Sequence, residues 1–217
     1  MRAIRSHTTH IPIKEWFPRD DPVAAAVARL LILREDLYLE LRGVVALPIP
    51  PLDECSEDWR MVYFFRNSVR TLLEIRSAIE FLNQEKSFFR QVKKLPRDIG
   101  APVDALKEAM SKAHEVIKKV RNEVGAHLRQ APVEAALKLI DPSTKGLIQL
   151  GDKPKEVHYK FAMEFLGAAT LRHVPYSSAH KEWKRMLRLT YDAAFSAIRG
   201  IDMLFVAYSL VYKKALP

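Results

Sequence analysis

Apolar residues recur at intervals of three and four along most of this chain, and proline, glycine and polar clusters punctuate them. The first such stretch opens at Asp21-Pro22, an N-cap oxygen followed by proline at the first helical position. Val23, Val27, Leu30, Leu31, Ile32, Leu37, Leu39 and Leu41 carry it as a helix to about Val45. Pro48, Pro50 and Pro51 then forbid its continuation and mark a linker. The longest predicted helix runs from roughly Glu57 to Val92, with Val62, Phe65, Val69, Leu72, Ile75, Ile79, Leu82, Phe88 and Phe89 at helical spacing and no glycine or proline inside it. A third starts near Pro102 and shows Val103, Leu106, Met110, Ala113, Ile117 and Val120 on one face, ending where Gly125 loosens the last turns. Pro132 opens a short helix to about Ile140.

Residues 141–160 change character. Gly146 to Leu150, the turn signal Gly151-Asp152-Lys153-Pro154, and Val157 to Phe161 fit a small hairpin, while Phe161 to Leu171 reads equally well as a helix beginning earlier. Ser177 or Ser178 is the expected cap of a last helix from Ala179 to Lys214. Residues 1–20 lack periodicity and read as an extended arm anchored by Trp16 and Phe17, with residues 21–217 forming one helical domain. The predicted fold is all-α: an antiparallel helical bundle of four long helices with short ones, and a small hairpin near residues 146–161.

Composition narrows the function classes. The 217 residues are 48% hydrophobic and 28% charged, which excludes wholesale disorder. Seven glycines, with neither G-x-x-x-x-G-K-[ST] nor G-x-G-x-x-G among them, argue against a glycine-rich nucleotide loop. Cys55 is the sole cysteine, so cysteine-based zinc sites and disulfides within the chain are excluded. That profile, and an N-terminus without a signal-type apolar stretch, point to the cytoplasm. The longest apolar run, Met203 to Tyr212, is too short to span a bilayer, so no membrane partner is expected. A net charge of +9 favours an anionic partner, nucleic acid before membrane.

Seven histidines invite a search for ligand sets, but no H-E-x-x-H or E-x-x-H spacing occurs, and no metal or other cofactor is expected. The constellation with chemical content is Arg121-Asn122 followed by His127 at the end of the third long helix. An imidazole can take the proton of a ribose 2′-hydroxyl or return one to a leaving oxygen. A guanidinium can grip the phosphate and stabilise its transition-state charge. Asn122 would orient either partner. The bare spacing also fits Arg2 to His7 and Arg5 to His10, but neither has an Asn after the Arg or a helix beneath it.

The full string, RNEVGAHLR, resembles the HEPN superfamily of all-helical domains, whose R-x(4–6)-H motif commonly has Asn, Asp or His directly after the arginine. The resemblance implies a metal-independent endoribonuclease acting on RNA as a homodimer, with Arg121 stabilising phosphate, His127 as acid or base and Asn122 assisting. Many members of that superfamily are toxins or phage-defence effectors, so an antitoxin protein is an implied partner. Others only bind RNA or proteins, and a non-catalytic HEPN-like module stands as the second reading. In HEPN toxins paired with a nucleotidyltransferase, a tyrosine often follows the histidine by two residues. Here Arg129 stands there and is a candidate RNA contact, so control through such a tyrosine is not supported.

A second stripe, Arg66, Arg70 and Glu74, recurs every four residues. It reads either as a solvated salt-bridged face or as a wall opposite Arg121 and His127, with Arg70 touching phosphate and Glu74 orienting a catalytic side chain. Trp59, Phe64, Phe65, Trp183 and Phe195 read as core or interface. Tyr208 and Tyr212 read as a frayed end, with RNA contact as the alternative.

Overall fold

The computed structural model describes residues 10–45, 54–124, 130–140, 143, 148–149, 158–159, 161–171 and 176–212. Its elements follow the apolar periodicity. Four helices are long: α2 (Pro22–Val45), α3 (Glu54–Gln84), α5 (Arg97–Val124) and α8 (Tyr176–Val211). Four are short: α1 (Ile13–Trp16), α4 (Lys86–Val92), α6 (Gln130–Leu139) and α7 (Phe161–Leu171). Two-residue strands β1 (Ile148–Gln149) and β2 (His158–Tyr159) pair antiparallel, Ile148 opposite Tyr159. The turn residues expected between them, 150–157, lie outside the described residues.

Apart from that pair, the regular structure among the described residues is all helix, and these helices bundle around one core. The α5–α8 seam is the most extensive and α2–α3 the next. Val103, Leu106, Met110, Ala113, Ile117 and Val120, the face expected of the third long helix, are all buried. They meet a small-residue stripe of α8 that includes Ala193, Ala197 and Gly200. Asp21 caps α2 as its sequence requires: Oδ1 accepts from the backbone N–H groups of Val23 (2.9 Å) and Ala24 (3.1 Å).

Several boundaries differ from those expected. The helix predicted over 57–92 is broken at Glu85, whose φ of −81° and ψ of 69° leave the helical region. Carried on at 3.6 residues per turn, Phe88 would face nearly opposite the stripe holding Ile75, Ile79 and Leu82 and Val92 a quarter turn or more from it, with Phe89 at its edge. The break rotates all three into the core. The third long helix starts at Arg97, not Pro102: Pro96 O accepts from Ile99 N and Gly100 N (3.0 and 3.1 Å), and Pro102 sits inside the helix at the loss of one backbone bond. Likewise α8 starts at Tyr176, which puts the expected caps Ser177 and Ser178 within it.

The N-terminal arm is anchored by the two aromatics named for it, through a helical turn instead of an extended strand. Trp16 N and Phe17 N bond back to Pro12 O and Ile13 O. Buried Trp16 lies 5.4 Å from the Phe205 ring, and Phe17 stacks on Tyr208. Tyr208 is therefore core, not a frayed end or an RNA contact: its hydroxyl donates to Trp16 O (2.5 Å), and burial pushes its pKa up to about 12. Trp183 meets Phe65 edge to face, whereas Phe195 is 67% exposed. By length and composition Lys181–Val211 is apolar enough to cross a membrane, a longer stretch than the ten-residue run anticipated. Part of that apolar surface packs inside the bundle, through Met186, Ile201 and Leu204.

Candidate functional site

The apolar face of α5 dictates where Arg121 goes. Val120 is buried, and the next residue is turned about 100° away from it. Arg121 is accordingly exposed in the last turn and makes no ion pair with a described side chain, and Asn122 beside it is half-buried. A cation in the last turn complements the negative end of the helix dipole. Gly125, His127 and Arg129 lie outside the described residues.

Neighbouring elements locate this end of α5. Glu182 of α8 lies within electrostatic reach of Lys119, and Trp183 rests on Phe65 of α3. The end of α5, the start of α8 and the Arg66 turn of α3 thus share one end of the bundle. Arg66 is half-buried, and burial pulls its pKa below the ordinary value. Arg70 is exposed one turn on. Glu74 is committed elsewhere: its carboxylate accepts from Arg29 Nη2 of α2 at 2.5 Å, and no contact joins it to Arg121. The stripe of Arg66, Arg70 and Glu74 is thereby split, its first turn near the Arg121 end and its last tied into the α2–α3 seam.

Sequence reasoning missed Glu40. This carboxylate lies in the α2–α3 interface, where Thr71 Oγ1 donates to Oε1 (2.8 Å) while Oε2 is buried with no partner. Ser68, the nearby hydroxyl, gives its proton to the Phe64 carbonyl instead (3.0 Å). Burial pushes the Glu40 pKa up to about 7; Asp36 adds to the rise, and the Thr71 bond and the Arg70 charge oppose it. The signal was in the pattern: Glu40 stands three residues after Leu37 and four before Val44, both buried, so it sits on the apolar face.

That position has a measurable consequence. The folded chain holds a proton on Glu40 that the unfolded chain releases near pH 4.5, so the contribution of Glu40 to stability is greatest below that pH and is lost as pH rises through about 7. Discounted for the solvent that reaches this part-exposed group, the loss between pH 5 and pH 8 is about 1–2 kcal/mol. Glu40→Gln, which keeps an acceptor for Thr71, should flatten this dependence and be the more stable form at pH 8. Urea unfolding at the two pH values measures it, and an unchanged pH dependence in the variant would refute the assignment.

Among the described residues, no group of three or more His, Cys, Asp or Glu is placed to hold a metal ion. No family model, curated protein or solved structure matches this chain.

Proposed function

We propose that the chain is a metal-independent endoribonuclease of HEPN type, cytoplasmic and homodimeric, related in role to toxins or phage-defence effectors. An antitoxin protein is then a natural partner, and no membrane is involved. The supporting frame is an antiparallel bundle of four long helices with a small hairpin near residues 146–161. The observation that carries the reading is the string RNEVGAHLR at the end of amphipathic α5, with Arg121 exposed and uncommitted to any described side chain. The +9 charge favours the polyanionic substrate.

In this mechanism one His127 removes the proton of a ribose 2′-hydroxyl, and the freed oxygen attacks the adjacent phosphorus. The bond from phosphorus to the 5′-oxygen breaks, a second His127 protonates that oxygen, and a 2′,3′-cyclic phosphate is left behind. Arg121 holds the phosphate oxygens and offsets the extra negative charge of the transition state. Asn122 orients one partner, and Arg70 and Arg129 contact flanking phosphates. Since Glu74 already bonds Arg29, we give it a structural part across α2–α3.

Labelled total RNA incubated with the purified chain in EDTA should be cleaved, and His127→Ala should abolish that cleavage. Activity lost in EDTA and restored by a divalent ion would overturn the mechanism. RNA binding without cleavage would favour a non-catalytic HEPN-like module.

A further inference from the structure

Far along α5 from Arg121, the end of α3, α4 with its C-cap Lys93, and α5 border an open pocket of about 480 Å³ lined by Asn83, Lys86, Phe89, Arg90, Lys93 and Lys107. Four of these six are cations, and no carboxylate is among them. Local structure explains the convergence. Lys86, Arg90 and Lys93 follow one another at intervals of four and three, so the short helix that buries Phe88, Phe89 and Val92 presents them together on its other side. Lys107 arrives from α5 and sets its ammonium 3.4 Å from the centroid of the Phe89 ring, a contact that fixes it at the pocket wall. Burial pulls the Lys107 pKa down, Asp104 opposes this and Lys93 adds to it.

Like charges gathered in this way raise one another's energy unless an anion joins them. The pocket also opens onto a row. Lys107, Ser111, His114, Lys118 and Arg121 stand at intervals of four, three, four and three, which is one face of α5. Ser111, Lys118 and Arg121 are exposed, and half-buried His114 keeps a buried Nδ1 with no partner while its Nε2 lies 3.6 Å from the Glu115 carboxylate. Fourteen residues separate Lys107 from Arg121, about 21 Å at 1.5 Å per residue. A helically stacked strand places about six phosphates over that length, at about 3.4 Å each. Three cations spread over this length, continuing from the four of the pocket, suit an extended polyanion better than a small one.

We propose that the Lys86–Arg90–Lys93–Lys107 pocket is a binding site for the phosphate backbone of single-stranded RNA, joined along the face of α5 to the Arg121 end. The inference rests on RNA as the partner but not on cleavage.

The test uses the full chain and a fluorescein-labelled 12-nucleotide RNA carrying 2′-O-methyl groups, which binds but cannot be cut through its 2′-oxygens. Affinity is read by anisotropy across 50–200 mM salt. Neutralising two phosphate contacts in Arg90→Gln/Lys93→Gln should weaken binding and reduce the log–log salt slope by about 1.4, at about 0.7 per contact. Lys86→Gln alone should reduce it by about half as much. Lys14→Gln/Lys138→Gln removes equal charge from exposed sites elsewhere and should leave the slope in place. All the altered residues are exposed, so the circular dichroism spectra should match the parent's. The proposal fails if the parent does not bind, if the pocket and control variants shift alike, or if equimolar inorganic phosphate or a mononucleotide displaces the oligonucleotide. A chain that binds the modified RNA in this way, yet leaves ordinary RNA uncut, would sink the nuclease reading and leave this site standing.

Discussion

Wild-type subunits mixed in equal amount with His127→Ala subunits should keep only about a quarter of the parent's activity, which the substitution in both chains lowers by about 10²–10⁴-fold. In-line cleavage needs a base on the attacking side and an acid on the leaving side, and one R-x5-H motif supplies a single histidine. A two-fold dimer supplies the second by repetition, since an isologous interface brings the same patch of each subunit face to face. Arg121 is exposed at the end of α5, free to reach across such an interface. Because the shared cleft uses one His127 as base and the other as acid, a mixed dimer with a single histidine is as impaired as the variant itself. A quarter of the dimers in an equal, fully exchanged mixture have two intact chains, which sets the expected fraction. A mixture that keeps half of the activity while sedimentation shows exchanged dimers would mean that each chain cleaves with its own histidine alone. A chain that cleaves RNA as a monomer at micromolar concentration would refute the shared cleft altogether.

Features that depend on neighbours in the chain were legible in the sequence. The Asp21-Pro22 pair placed the start of α2 to the residue, and the Val103 to Val120 stripe named the buried face of α5 without error. What escaped were the places where packing overrides local signal. No proline or glycine marks the break at Glu85, because its cause is the phase of three side chains that must enter the core together. Pro102 read as a helix start because proline favours the first turn, yet the contacts of α5 with α8 outweigh one lost backbone bond.

The same division holds for the candidate sites. The Arg121 motif is contiguous, so a linear reading finds it. Glu40 becomes unusual only when α3 brings Thr71 over it, thirty-one residues away. The basic pocket needs Lys107 laid against α4, and in sequence it is only three cations in and just after one short helix and a fourth on the next. Glu74 shows the converse: its spacing from Arg70 suggested a shared face, but its nearest cation in the fold is Arg29, forty-five residues back.

Alanine in place of Gly167 and of Gly200 should move stability in opposite directions. Both glycines lie inside helices, where exchange for alanine ordinarily stabilises by about 0.5–1 kcal/mol through backbone entropy. At Gly167 in α7 an added Cβ would meet nothing within 4 Å, so that ordinary gain is expected. At Gly200 the same atom would stand 2.5 Å from Leu106 Cβ and 3.0 Å from the Pro102 carbonyl oxygen. Neither neighbour is the end of a flexible side chain. Relief therefore requires α5 and α8 to separate along the longest seam of the bundle, loosening the buried contacts of Leu106, Ile201 and Leu204. Overpacking of this kind costs about 1–3 kcal/mol net of the helix-propensity gain. Urea midpoints should thus rise for Gly167→Ala and fall for Gly200→Ala with m unchanged. Equal gains at both positions would mean that α5 and α8 do not approach through Gly200, and the placement of the whole Arg121 face would have to be redrawn with them.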